Sequence, residues 1–284
     1  SPVYPQVTSA QGVDATHVDV LFSKPVQPAE AGAAANYAIT FASPPARSDL
    51  LPPAVSAAQL QADGQTVRCW NRTAKDFPNV FPSCQEAIEG AEAIFIVVAD
   101  PPAVQSVIEQ ICPKLQPGQI VIQSSTISAQ WTLAFAEMVQ KTGAHYLEAP
   151  FTGSKPAAEQ RQTIFYLGGD EALIEKARPM LQPLSKNIFH IGPLGSASSL
   201  KLAMNLNIAG VAQALCESLS LSRAAGIADE VYFAALAQNV SHSGLSDLKA
   251  AKLRQGNFEP QFSLKHMAKD LRLALETAAD LPVS

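Results

Sequence analysis

The sequence predicts an α/β fold. It consists of an incomplete, largely parallel sheet followed by an all-α domain and preceded by a β-sandwich-like segment. Three observations lead to this prediction. Short alternating strands fill the first 68 residues, strands alternate with helices from residue 69 onward, and the chain beyond Gly195 is almost entirely helical. The predicted domains are therefore 1–68, 69–196 and 197–284.

The first segment has the pattern of a small β domain. His17–Lys24 (HVDVLFSK) alternates apolar and polar side chains, and NYAITFA, VSAAQLQ and QTVRC follow at short intervals. Proline pairs and an Asp-Gly turn separate these strands, as in a sandwich. The Phe-Ser-Lys-Pro-Val turn followed by Asn-Tyr-Ala-Ile resembles bacterial immunoglobulin-like modules. This resemblance implies that 1–68 is a partial immunoglobulin-like module.

The second segment has the pattern of a parallel sheet. The run AIFIVVAD is continuously apolar, which predicts a strand buried on both faces. The helical spacing of PAVQSVIEQICPKL follows, then the strand QIVIQSST and a helix that Gly143 ends. Further on, SSLKLAMNLNIAGVAQALCESLSLSRAAG predicts one long helix that stops at Gly226. Strands that alternate with helices favour a sheet covered on both faces.

Composition restricts the classes of partner. The chain is 47% hydrophobic and 16% charged, and its net charge of -5 with no basic block argues against nucleic acid. Its apolar runs are too short to cross a membrane, and no secretion signal is evident. The four cysteines and five histidines show no metal-binding or disulfide spacing. We therefore expect no metal and a reducing, cytoplasmic location.

Two segments carry candidate chemistry. In GPLGSASSLKLAMN, Lys201 and Asn205 lie four residues apart and share one helix face. A lysine whose pKa is lowered by burial is a proton donor or acceptor for an alcohol oxygen, which Asn205 would orient. In EAPFTGSKPAAEQ, the turn at Thr152 and Gly153 offers backbone N–H groups to a carboxylate. A surface lysine and an ordinary turn are the alternative interpretations.

Together with LKHMAKDLRLA, these segments resemble the β-hydroxyacid dehydrogenases, the group of 3-hydroxyisobutyrate dehydrogenase and glyoxylate/succinic semialdehyde reductase. The likeness covers the chain from about residue 70. It implies a Rossmann-type NAD(P)-binding domain and a helical domain for substrate binding and homo-oligomer formation, which here ends early, at Ser284. The implied roles are catalytic acid/base for Lys201, substrate binding for Thr152, Gly153 and Asn205, and cofactor binding for Val97, Val98, Thr126 and Lys269.

The cofactor type is read from the end of the second strand. An acidic residue there favours NAD, whereas an arginine accommodates the 2′-phosphate of NADP. Asn71, Arg72 and Thr73 occupy this place, so we expect NADP(H) to be favoured over NAD(H). The alternative is that Arg72 is only a solvated turn residue.

One expected element is missing. The family begins with a strand, a G-x-G-x-x-G turn and a helix, but residues 1–68 contain only Gly12, Gly32 and Gly64. The sequence therefore predicts a sheet without its first βα unit, which exposes strand edges and binds the cofactor weakly. The alternative is a divergent but complete nucleotide-binding domain.

The predicted function is an NADP(H)-dependent oxidoreductase. It would interconvert a small 3- or 4-hydroxy acid, or glycolate, and its aldehyde or keto form. Imine reductases share this scaffold but usually lack the lysine, so Lys201 favours carbonyl chemistry. The alternative is a non-enzymatic binding or scaffold protein with a degenerate dehydrogenase body.

Overall fold

The computed structural model describes residues 7–14, 17–22, 37–40, 67–72, 80–153, 155–258 and 262–281. The strands are β1 (Val7–Asp14), β2 (His17–Phe22), β3 (Tyr37–Thr40), β4 (Arg68–Trp70), β5 (Ala93–Val97), β6 (Ile120–Gln123), β7 (His145–Glu148), β8 (Phe151–Thr152), β9 (Thr163–Gly168) and β10 (Ser185–Gly192). The helices are α1 (Cys84–Ala87), α2 (Pro101–Ile111), α3 (Ala129–Gln140), α4 (Lys155–Glu159), α5 (Glu171–Leu181), α6 (Ser196–Ala224), α7 (Asp229–Leu236), α8 (Gly244–Gln255) and α9 (Leu264–Ala279).

The chain divides into two compact units, residues 1–202 together with 263–284, and residues 203–262. The first unit contains the sheet, whose order is β10-β9-β7-β6-β5-β3-β4, with β8 paired to β9. Strands β5, β6 and β7 are mutually parallel, as are β9 and β10, and the two groups meet in an antiparallel contact between β7 and β9. This arrangement confirms the predicted α/β class.

The sheet is covered on both faces, as its apolar strands predict. Ile94 and Ile96 of β5 pack in one core with the apolar sides of α2 and α3. Phe95 belongs to a second core with Ile122 and the apolar side of α5. Successive side chains of a strand point to opposite faces, so β5 contributes to both cores.

The first 68 residues contribute a strand to this sheet. Strand β3 lies between β4 and β5 and runs antiparallel to both. Strands β1 and β2 pair as a separate antiparallel two-stranded sheet. The expectation of exposed edges at the missing strand is therefore wrong, because β3 gives β4 and β5 backbone partners there. The immunoglobulin-like interpretation stays a prediction.

The second unit holds most of α6, together with α7 and α8. Gly226 has a φ of +76° and follows the end of α6, as its role as a helix stop predicts. Leu215 and Leu219 of α6 pack with Phe233 of α7 in a small core. Ser243 begins α8 with a reciprocal capping box to Ser246. Among the described helices, none is long and apolar enough to cross a membrane.

Candidate active site

A lysine and a hydroxyl meet beside the sheet in the first unit. Strand β7 leads through a short turn into β8, where Thr152 pairs with Ile164 of β9. Lys201 lies in the second turn of α6 and is only 8% exposed. Its Nζ donates a hydrogen bond to Thr152 Oγ1 at 3.3 Å. The structure thus joins two predicted site residues that lie 49 positions apart.

The surroundings of Lys201 lower its pKa to about 8, mainly because burial disfavours the ammonium form. The carboxylate of Asp270 opposes this shift and the nearby Lys269 ammonium adds to it. Asp270 is buried and forms an ion pair with Lys269 at 2.7 Å. An amine with a pKa near 8 exchanges protons readily at neutral pH, as the acid/base hypothesis requires.

Helix α9 connects the lysine region to the loop after β6. Lys269 Nζ donates to the carbonyl oxygen of Thr126 at 2.7 Å. In the same loop, Ser125 Oγ accepts the backbone N–H of Val98 at 2.7 Å, which ties the ends of β5 and β6 together. The carboxyl ends of these parallel strands are where α/β sheets bind their ligands. Hydrogen bonds therefore connect Lys269 of α9 with the loop that holds Thr126, and that loop with Val98.

The other predicted substrate- and cofactor-binding residues of the first unit differ in how exposed they are. Gly153 is exposed and has a φ of +142°, a conformation that favours glycine. At the end of β4, Asn71 is buried and Arg72 is exposed, while Thr73 lies outside the described residues. Val97, the last residue of β5, is half-buried.

Asn205 follows Lys201 by one turn of α6 and is buried, but it belongs to the second unit. Its place beside the lysine stays a prediction.

Sequence reasoning missed a buried carboxylate. Glu148, fully buried at the end of β7, accepts hydrogen bonds from the start of α6. It also missed Asp270 and the hydroxyl of Tyr166, which donates to Thr152 Oγ1 at 3.5 Å. A carboxylate that directly follows a buried apolar strand needs partners, and this was the available signal for Glu148.

The site has no arrangement for a metal ion among the residues described. No group of three or more His, Cys, Asp or Glu side chains in those ranges is close enough to hold one. The four cysteines are free thiols. Cys69 and Cys84 are buried as small apolar side chains, whereas Cys216 is exposed.

The fold and site define a nucleotide-binding class, and comparisons with known proteins agree. Residues 55–192 match the family model for the NAD-binding domain of 6-phosphogluconate dehydrogenase. Residues 195–284 match the one for the NAD-binding domain of NADP-dependent 3-hydroxyisobutyrate dehydrogenase. The chain therefore contains NAD(P)-binding domains.

Individual proteins with similar sequences include two plant reductases and a nuclear factor. Glyoxylate/succinic semialdehyde reductase 1 of Arabidopsis thaliana is 30% identical over 79% of this chain and 83% of its own length. The chloroplastic reductase 2 of that plant is 31% identical over 80% of this chain, which spans 66% of the relative. The mouse cytokine-like nuclear factor N-PAC is 29% identical over 75% of this chain and 40% of its own length.

A solved structure agrees with these relatives. The 3-hydroxyisobutyrate dehydrogenase of Mycobacterium tuberculosis with L-serine superposes with a TM-score of 0.67 at 25% identity, over 72% of this chain and 73% of that one. The chain belongs to the β-hydroxyacid dehydrogenase family.

The described residues suit one end of a dinucleotide better than the other. Lys269, Thr126 and the Lys201–Thr152 pair offer polar groups suited to a nicotinamide and its substrate. The pyrophosphate requires a helix N-terminus at the carboxyl edge, directly after the first strand. Because β3 is antiparallel, it ends at Thr40 beside the amino end of β4. The residues that follow β3, 41–66, lie outside the described ranges.

Proposed function

We propose that the protein is an NADP(H)-dependent oxidoreductase that interconverts a small hydroxy acid and its aldehyde or keto form, with Lys201 as acid/base. One observation carries the proposal: a buried lysine with a lowered pKa donates to the hydroxyl of Thr152. A surface lysine would be neither buried nor lowered in pKa by desolvation. Perturbed lysines of this kind are typical of functional sites.

Lys201 and Thr152 have different roles at the substrate oxygen: Lys201 transfers the proton and Thr152 orients the oxygen. In the reducing direction, the Lys201 ammonium gives its proton to the carbonyl oxygen as that oxygen becomes a hydroxyl. In the oxidising direction, the neutral amine removes the hydroxyl proton. Thr152 Oγ1 lies 3.3 Å from the amine and holds the same oxygen in line. When bound, a nicotinamide cofactor would supply or accept the hydride.

The substrate class follows from the turn next to the lysine. Gly153 is exposed directly beyond Thr152, which favours an approach of a substrate carboxylate to the backbone there. Relatives named for glyoxylate and succinic semialdehyde, and a structural neighbour that holds L-serine, support small carboxylate-bearing substrates. Glycolate and 3- or 4-hydroxy acids fit this description. Asn205, one helical turn beyond Lys201, would orient the reacting oxygen.

Arg72 supports the choice of NADP(H). It is exposed immediately after the buried Asn71, at the end of β4 where the adenosine ribose binds in dinucleotide folds. A guanidinium there pairs with a 2′-phosphate, and no acidic residue of the described stretch 67–72 competes for the ribose hydroxyls.

The helical unit supports self-association. Within 203–262, Leu221, Val231 and Val240 are strongly exposed. Contiguous exposed apolar patches mark interaction surfaces, and self-association through this unit would cover these side chains. We include a homo-oligomer through this unit in the proposal, and light scattering on the purified chain measures it.

The test is turnover by the purified chain. Glyoxylate and succinic semialdehyde are supplied with NADPH or NADH, and oxidation of the reduced cofactor is followed by its absorbance. We expect reduction of at least one aldehyde, faster with NADPH. A folded protein that oxidises neither cofactor with either aldehyde would favour the non-enzymatic binding or scaffold function.

A further inference from the structure

Glu148 joins the end of β7 to the beginning of α6. Its Oε1 accepts the backbone N–H groups of Gly195 at 2.7 Å and Ala197 at 3.0 Å. Its Oε2 accepts the N–H of Ser198 at 3.0 Å and the Ser198 hydroxyl at 2.5 Å. All four partners are donors, and the N-terminus of a helix favours negative charge. The site is therefore shaped for a carboxylate.

The neighbouring elements close around this carboxylate. Gly168 pairs with Glu148 across the sheet, and a Cβ there would lie 2.0 Å from Glu148 Oε1. The hydroxyl of Thr132 on α3 lies 2.8 Å from Ser198 Oγ, so it extends the hydrogen-bond chain. Burial raises the pKa of Glu148, and the hydrogen bonds from Ser198, Ala197 and Gly195 oppose that rise.

The two members of the proposed acid/base pair extend from the two ends of this junction. Thr152 follows Glu148 by four residues, through the turn that leads into β8. Lys201 follows Ser198 by three residues in the rigid first turns of α6. Any change in how β7 meets α6 therefore changes the distance between Lys201 Nζ and Thr152 Oγ1, now 3.3 Å.

We propose that Glu148 is a positioning residue that holds Lys201 in its buried place against Thr152. The inference rests on the proposed acid/base role of Lys201. Glu148 touches neither member of the pair in any hydrogen bond of the described structure; it acts through the backbone of α6. In Glu148→Gln, one acceptor becomes an NH₂ group that faces a donor N–H, so the start of α6 must shift.

The experiment observes the lysine directly. The full chain is prepared with lysine labelled with ¹³C at Cε, and the NMR signal of Lys201 is assigned by its loss in Lys201→Arg. The charges of Asp270 and Lys269 on α9 act on the pKa of this amine, and both residues are unchanged in every variant. Glu148→Gln, Ser198→Ala and the control Glu137→Gln are titrated, the control because Glu137 is an exposed carboxylate on α3.

In the wild type we expect Lys201 to titrate near 8. In Glu148→Gln the midpoint rises by about one unit or more toward 10.5, because the amine leaves its buried place. Ser198→Ala, which keeps the carboxylate, gives a smaller rise, and Glu137→Gln gives none. In turnover, Glu148→Gln lowers kcat tenfold or more with little change in KM.

A folded Glu148→Gln protein whose lysine still titrates near the wild-type value would show that Glu148 only stabilises the helix, and the inference would be overturned. Should Glu148→Gln fail to fold, an unshifted lysine in Ser198→Ala overturns it instead. The titration needs no turnover. If the pKa of Lys201 rises in Glu148→Gln but the wild-type chain shows no reductase activity, the proposed function is overturned and the positioning role of Glu148 is kept.

Discussion

At the scale of single residues, the pKa of Lys201 sets the pH dependence of the proposed reaction. Burial lowers this pKa to about 8, so the ammonium form is lost as the pH rises through that value. Aldehyde reduction consumes a proton from the ammonium, and we expect its kcat/KM to fall above pH 8. Hydroxy-acid oxidation needs the neutral amine, and its kcat/KM rises through the same range.

Steady-state rates in both directions from pH 6 to about 10 measure this dependence. We expect kcat/KM to fall with pH for aldehyde reduction and to rise for hydroxy-acid oxidation, with the same midpoint in both profiles. Two profiles that change in the same direction would contradict a single acid/base group.

The hydroxyl of Thr152 gives a second prediction at this scale. Thr152→Val keeps the shape of the side chain but removes the acceptor of the Lys201 hydrogen bond. We expect kcat/KM to fall by about 10- to 100-fold, in line with the loss of one hydrogen bond to a charged group. Thr152→Ser retains the hydroxyl and is the matched control, expected within a few-fold of wild type. A loss in Thr152→Ser but not in Thr152→Val would contradict the role of the hydroxyl, because it would show that the methyl group matters instead.

The sequence predicted these two residues because their signals are local. Lys201 stands just inside a helix after a glycine turn, and Thr152 stands in a turn after a strand. Glu148 escaped prediction because its partners lie 47 to 50 residues away. Its role becomes visible only when β7 and α6 are placed together.

At the scale of elements, Gly168 of β9 lacks a side chain and therefore leaves room for the Glu148 carboxylate. Gly168→Ala would place a methyl group in the space of Glu148 Oε1, and we expect the free energy of unfolding to fall by about 1–3 kcal/mol. Gly210→Ala in α6 is the matched control, because a Cβ there has open space. It should stabilise the protein by about 0.5–1 kcal/mol. Denaturant unfolding of both variants measures the difference; equal stabilities would contradict the close approach.

The elements differ in how well the sequence predicted them. Strands β5 and β6 and helices α2, α3 and α6 follow from apolar periodicity, which is a local property. The insertion of β3 between β4 and β5 is non-local and does not follow from periodicity. A short strand such as Tyr37–Thr40 carries no local information about its partners or their direction.

At the scale of the whole molecule, cofactor binding depends on how the sheet is completed. The sequence predicts no glycine-rich phosphate turn, because residues 1–68 lack the G-x-G-x-x-G pattern. Three lost hydrogen bonds to a charged group would weaken binding by roughly a thousandfold. We expect weak NADPH binding by calorimetry. NADH should bind more weakly still.

Arg72→Ala should remove this preference by weakening NADPH binding alone, because only NADPH carries the 2′-phosphate. The control is Arg178→Ala on α5, where the half-buried arginine pairs with Glu175. If the ratio of NADPH affinity to NADH affinity is unchanged in Arg72→Ala, Arg72 is only a solvated turn residue and does not bind the 2′-phosphate.

The most direct test of the central claim is aldehyde reduction by Lys201→Ala beside the exposed control Lys141→Ala, with NADPH affinity measured for both. We predict that Lys201→Ala loses about 10²- to 10⁴-fold in kcat while its NADPH affinity stays near that of wild type. Lys141→Ala should retain full activity. A Lys201→Ala protein that reduces the aldehyde at a rate within a few-fold of wild type would contradict the account.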